Sequence, residues 1–204
     1  TWYAGYDFIK GGLSLTIIVT VFGFILAMLI GLFVAVGRLA KNPVAKNLAI
    51  FYIELIRGIP VLVTIIFVGL VAWPALMGAL GIPGRAGIAS PAVKATVALG
   101  LVYAAFIAEV LRAGIESVGI GQREAGMSMG LTKFQVFRLI VWPQAIKNIM
   151  PALGNDLIAL LKDSALVSIL AVRELTQMTK LWTGRSFQFM AGYLILAAFY
   201  LLLT

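Results

Sequence analysis

The sequence predicts an all-α protein, a polytopic bundle of membrane helices, and three observations carry that expectation. Hydrophobic residues fill 62% of the 204 positions and charged ones only 12%, whereas a soluble domain is about half apolar and about a quarter charged. The mean hydropathy is +1.05. No charged residue occurs between Gly11 and Gly37, and about 20 apolar residues suffice to cross a bilayer as a helix. The apolar runs point to one helical domain, residues 1–204.

The runs order themselves into about five spans. The first ends at the basic turn Arg38, Lys41, Asn42, Pro43 and Lys46, of a kind retained on the cytoplasmic side, which places the N-terminus outside. A second span extends from near Leu48 to about Leu80, with Glu54, Arg57 and Pro60 in its first turns. Pro60 removes a helical hydrogen bond and kinks that span beside Arg57. Gly81, Pro83, Gly84, Gly87 and Pro91 mark an irregular external loop. Val93 to Leu111 forms the third span. Residues 112–142 are a polar excursion, Gln144 to about Ala171 a fourth segment broken by polar residues, and Ser186 to Thr204 a fifth. The chain begins at Thr1 without a methionine, and both ends read as trimmed.

What the chain lacks restricts its chemistry. There is no cysteine and no histidine, so disulfides, thiolate nucleophiles, Cys or His metal sites and imidazole proton shuttles are excluded. No Walker A pattern occurs, so no glycine-rich cradle and lysine exist here to hold ATP phosphates. The formal charge of +8 comes from basic residues flanking apolar runs, which favours a membrane over nucleic acid.

Within the polar excursion the string EAGMSMGLTKFQVFRLIVWP occupies residues 124–143. Gly130 suits the left-handed residue that ends a helix, and Thr132 followed by Gln135 forms a capping box that starts another. Two short helices with a tight bend result. Phe134, Phe137 and Val141 share a face at helical spacing. By periodicity alone that face either docks a protein partner or lies in the membrane interface.

The string resembles the EAA loop of ATP-binding cassette importer permeases, in which Glu-Ala-Ala is followed by Gly, Ile and Leu-Pro at set spacing. Glu124, Ala125, Gly130, Ile140 and Pro143 match it, while Gly126 stands for the second Ala and Trp142 for Leu. IELIRGIP at 53–60, AFIAEVLRAGIESV at 105–118 and PQAIKNIMPALGNDLIALLKDSALVSIL at 143–170 are similar to the polar amino-acid branch of that family. The resemblance implies a MetI-like type I importer permease fold in the bacterial cytoplasmic (inner) membrane. It further implies that Glu124, Ala125, Gly130, Leu131 and Thr132, in a loop of about 119–142, couple the chain to a dimer of separate ATPase subunits, which bind ATP and Mg. A second permease chain and an extracytoplasmic solute-binding protein that delivers a polar amino acid complete the assembly it implies.

Charged groups inside spans are expensive, commonly ~3 kcal/mol at the helix centre, and they line polar pathways or pair with one another. Asn155, Asp156 and Lys162 form a polar cluster in an apolar segment and are expected on the substrate pathway. Glu54 and Arg57 are also candidates there, though three residues apart they are expected to pair on one helix face, and Glu109 is likewise expected to pair. The rival reading is an ion channel or membrane scaffold, in which the same charges serve conduction or assembly.

Overall fold

The structure is a computed structural model that describes residues 2–82 and 90–204, with side chains from Lys10 onward. Pro83, Gly84 and Gly87 of the expected external loop lie outside the described residues. Every regular element among the described residues is helical. They are α1 (Trp2–Leu39), α2 (Pro43–Gly58), α3 (Val61–Phe67), α4 (Trp73–Ala79), α5 (Pro91–Glu116), α6 (Ile120–Ser128), α7 (Lys133–Val136), α8 (Trp142–Asp163), α9 (Leu175–Ser186) and α10 (Phe189–Leu203). π-helical turns at Val68–Ala72 and Phe137–Val141 join α3 to α4 and α7 to α8, and a 3-10 helix at Ser164–Leu170 follows α8.

The bundle is built on α1 and α5, which run parallel. Gly23 lies against Leu99 and Thr96, and Gly31 against Ala104 and Ile107, so the contacts advance together along both helices. On α1 the buried small residues Gly23, Ala27, Gly31 and Ala35 recur every fourth position, the spacing that lays a smooth stripe along a helix and lets backbones approach. Gly100, Ala104 and Ala108 do the same on α5, all buried. A Cβ added at Gly31 would stand 3.0 Å from the Ala104 carbonyl, and one at Gly100 would stand 2.7 Å from Leu26 Cδ2.

α8 runs antiparallel to both. Gly114 near the end of α5 meets Ile149 and Ala145, while Leu160, further along α8, reaches Gly23. One end of the bundle therefore gathers the end of α1, the start of α2, the end of α5, α6, α7 and the start of α8; we call it the loop end. At the opposite end the Leu175 amide donates to Thr16 Oγ1 at 3.2 Å, and α10 folds back along α9, with Gly192 against Thr183 and Trp182.

The expected continuous second span is broken. α2 climbs from the loop end, where Gly37 faces Ala45 and Ala49, until the Tyr52 hydroxyl donates to the Leu101 carbonyl at 2.5 Å. Ile59 and Pro60 are then extended (φ −103, ψ 137 and φ −54, ψ 135) before α3 begins. Pro60 has no amide to continue the helix and its ring disfavours helical angles at Ile59, so the expected kink is a full interruption. Glu54 and Arg57 thus lie on α2 and not in the continuous apolar run Val61–Ala79.

Pro91, expected in the loop, opens α5 at its first turn behind the Ser90 cap, where its missing amide costs nothing. Gly81 (φ +66) closes α4, with the Ile82 amide on the Met77 carbonyl and its own on Gly78. Among the described residues, three helices are long and apolar enough to cross a membrane, Lys10–Leu39, Val61–Ala79 and Pro91–Glu116, with Phe189–Leu203 a shorter apolar helix. α8 has the length but carries Lys147, Asp156, Lys162 and Asp163, so it depends on the bundle to shield them.

Replacing Gly31 by Leu forces α1 away from α5 at the Ala104 backbone. The expected cost is about 1–3 kcal/mol, the usual range for overpacking, read as a lowered thermal unfolding midpoint of the purified protein. Gly78→Ala, which meets nothing within 4 Å, serves as the control and should leave the midpoint in place.

Candidate coupling segment and polar pathway

The bend in the loop end is made by two backbone motifs in succession. The Leu131 amide reaches the Gly126 carbonyl at 3.2 Å and the Gly130 amide the Met127 carbonyl at 3.0 Å, with Gly130 at φ +84. This pair of bonds satisfies the end of α6 and requires a left-handed residue, which glycine supplies without a Cβ clash. Next, the Gln135 amide donates to Thr132 Oγ1 at 3.3 Å and the Thr132 amide to Gln135 Oε1 at 2.8 Å. The capping box expected from the sequence starts α7.

Beyond α7 the chain does not separate into a short helix and a span. Residues 133–163 run as one continuous helical rod through the π turn at Phe137–Val141. That turn rotates the residues after it relative to those before. Phe134 and Phe137 remain exposed, whereas Val141 is 3% exposed and packs inward with Val136. The single apolar face expected for Phe134, Phe137 and Val141 is therefore split in two.

α6 is clamped on that rod. A Cβ at Gly126 would stand 2.5 Å from Ile140 Cδ1 and 3.0 Å from Val136 Cγ2, so glycine at this position permits the close approach. Arg123, which sequence reasoning passed over, ties α6 to α5: its Nη2 donates to the Ile115 carbonyl at 2.7 Å. Asn148 on α8 donates to Ser117 Oγ at 2.9 Å, and Ser117 to the Gly114 carbonyl at 2.7 Å. Glu124, Ala125, Gly130 and Thr132 are exposed on this assembly and Leu131 is half-buried.

The polar residues within the bundle divide by helix face. Asn155 and Lys162, seven apart on α8, share an exposed face. Asp156 and Asp163 are turned toward α5, where the Tyr103 hydroxyl donates to Asp163 Oδ2 at 2.8 Å. Asp156 Oδ2 is buried with no hydrogen-bond partner. Tyr103 had no signal in its own sequence context; only the packing of α5 on α8 reveals it.

The expected pairing of Glu54 with Arg57 is not formed. Both side chains are exposed, and the Arg57 guanidinium lies over the Phe106 ring at 5.5 Å from its centroid, within cation–π range. The π face competes successfully because a pair held in the open gains little. Glu109 does pair, with Arg112 Nε at 3.0 Å, and Arg112 also holds Glu116. Among the described residues, no group of acidic, His or Cys side chains could hold a metal.

Parallel helices on a small-residue seam, a separate bend segment at one end and a polar-bearing α8 packed on α5 are the architecture of a membrane transport permease, and the comparisons with known proteins place the chain in that class. Residues 27–204 match the family described as binding-protein-dependent transport system inner membrane component, and the chain belongs to it. It is 37% identical over 194 residues to the probable amino-acid permease protein YxeN of Bacillus subtilis (strain 168), covering 94% of this chain and 83% of that one. It is 31% identical to the glutamine transport system permease protein GlnP of Escherichia coli (strain K12), with 95% and 84% covered.

Among solved structures, an amino acid ABC transporter crystallised with histidines superposes with a TM-score of 0.83 at 34% identity, covering 96% of this chain and 86% of that one. The MetNI methionine ABC transporter in an inward-facing conformation superposes at 0.69 with 20% identity, over 98% and 91%, which speaks for the MetI-like fold. The chain is the multi-pass inner-membrane permease subunit of an importer, working with a solute-binding protein and a separate ATP-hydrolysing subunit. The channel and scaffold alternatives find no support in these relatives.

Thr132→Ala removes the cap of α7 and should cost about 1 kcal/mol, seen as faster backbone amide exchange confined to residues 130–137. Tyr103→Phe should leave the half-buried Asp163 without its donor, a cost of about 1 kcal/mol read as a lowered unfolding midpoint; an unchanged midpoint would show that water replaces the hydroxyl.

Proposed function

We propose that this permease imports a polar amino acid and that its bend segment is the point at which the ATPase acts. The observation that carries the reading is the construction of that segment. Two capped helices present Glu124, Ala125, Gly130 and Thr132 outward, while Arg123 and Gly126 fasten the same element to α5 and to the rod that continues into α8. A push on α6 therefore has a physical path to both helices.

The assembly consists of two permease chains, identical or related, and two ATPase subunits that bind ATP and Mg. Asn155, Asp156 and Lys162 supply an amide, a carboxylate and an ammonium along α8, with Glu54 and Arg57 on α2. An amino acid carries one charge of each sign, and such a set meets both by charge-assisted hydrogen bonds. The unpartnered Asp156 Oδ2 supports this reading, as do the amino-acid permeases among the relatives.

The test is ATP-dependent uptake of a labelled amino-acid panel by proteoliposomes holding the full transporter with its binding protein. Gly130→Val places a β-branched residue at positive φ, a strain of about 1–3 kcal/mol. It should cut uptake by about tenfold, the effect of ~1.4 kcal/mol, while ATP hydrolysis continues. Asp156→Asn and Lys162→Gln should instead alter uptake or selectivity with hydrolysis still coupled. Coupled, normal transport by the Gly130 variant would refute the docking role, and normal transport by both α8 variants would remove them from the pathway.

A further inference from the structure

An apolar groove of about 600 Å³ opens at the loop end between α1 and the π turn, independent of the proposed docking and pathway residues. Leu32, Val36 and Leu39 form one wall, Phe134, Phe137 and Trp142 the other, and Arg138 is the charged residue on its lining. The α1 wall is the last part of an exposed stripe, Ile18, Phe22, Ile25, Leu29, Leu32 and Val36, that faces away from the buried small-residue seam. Its three-and-four spacing keeps it on one side of the helix, so the groove opens sideways onto the surface that meets hydrocarbon.

None of Glu124, Ala125, Gly130, Leu131 and Thr132 lines the groove, so its lining is distinct from the proposed ATPase-contact residues. Among the described residues no hydrogen bond or ion pair engages Arg138. Glu109 and Glu116 at this end of α5 are engaged by Arg112 and form no ion pair with Arg138. Exposed Lys41 and Lys133 and half-buried Arg38 add positive charge around the same end. Trp142 supplies the amphipathic ring that favours the headgroup level.

We infer that this groove binds an anionic phospholipid from the surrounding bilayer, with an acyl chain against Leu32, Val36, Phe134 and Phe137 and its phosphate on Arg138. The volume falls within the ~300–1,000 Å³ of ordinary small-molecule sites. An apolar cleft with one unpaired guanidinium at its rim matches a lipid in both shape and charge, as basic pockets between membrane helices do elsewhere. A zwitterionic lipid would bring a second positive charge beside Arg138 and gain less.

The experiment places the complete transporter in phosphatidylcholine nanodiscs containing a fixed minor fraction of either brominated phosphatidylglycerol or brominated phosphatidylcholine. Bromine quenches nearby tryptophan, and subtracting the Trp142→Phe protein isolates the Trp142 signal. Quenching by the anionic lipid should exceed that by the zwitterionic one by about fivefold in relative affinity, the effect of one basic residue at an anionic surface. Arg138→Gln should abolish the preference and Arg138→Lys should retain part of it. In the unaltered protein raised salt should weaken the preference, which keeps the test independent of the variants' assembly. Equal quenching by the two lipids at all salt concentrations would reduce the groove to ordinary lipid contact. Absence of quenching by either would mean that the ATPase or a second permease chain covers it. Both results overturn the inference, and neither bears on coupled uptake.

Discussion

The parallel contact of α1 with α5 is the constraint on which the rest of this bundle depends. Lipid tails are as apolar as leucine, so membrane helices gain little from burying hydrophobic surface against each other and rely instead on close packing. Gly23, Ala27, Gly31 and Ala35 on one helix, and Gly100, Ala104 and Ala108 on the other, provide a seam with almost no side-chain relief. At Gly31, against the Ala104 carbonyl and Ile107, a methyl group has no space. Large residues are thereby displaced to the outside of α1.

Once that pair is set, the remaining helices have defined work. α8 carries more charge than an isolated span tolerates, and α5 covers its Asp156 and Asp163 face and supplies Tyr103 as a donor. α2 stops at the Ile59–Pro60 break beside Arg57, and the apolar run Val61–Ala79 begins only after it. Polar groups thus accumulate on the helices that the seam positions, and it is along them that the proposed pathway runs.

The loop end shows how a local motif acquires a global connection. The helix-ending bonds at Gly130 and the capping box at Thr132 need only neighbouring residues, and alone they would make a mobile turn. Arg123 on the Ile115 carbonyl and Gly126 against Ile140 convert the turn into an element joined to two long helices. The π turn at Phe137–Val141 adds a rotation that sends Val141 inward and leaves Phe134 and Phe137 facing the groove beside α1.

By itself the amino-acid sequence determined the membrane environment, the helical class, the bend at Gly130 and Thr132 and, through the string from Glu124 to Pro143, the family. Each of these rests on interactions between residues close in the chain or on composition, where local physics suffices. The interruption of the second span at Pro60, the extension of α7 into α8 and the partners of Arg57, Asp163 and Arg123 were decided only by the tertiary structure. Glu54 and Arg57 have the right spacing to pair, yet the Phe106 ring on another helix takes the guanidinium instead. Spacing along one helix states which side chains are able to meet, while the packing of several helices settles which of the competing partners is within reach and shielded enough to win.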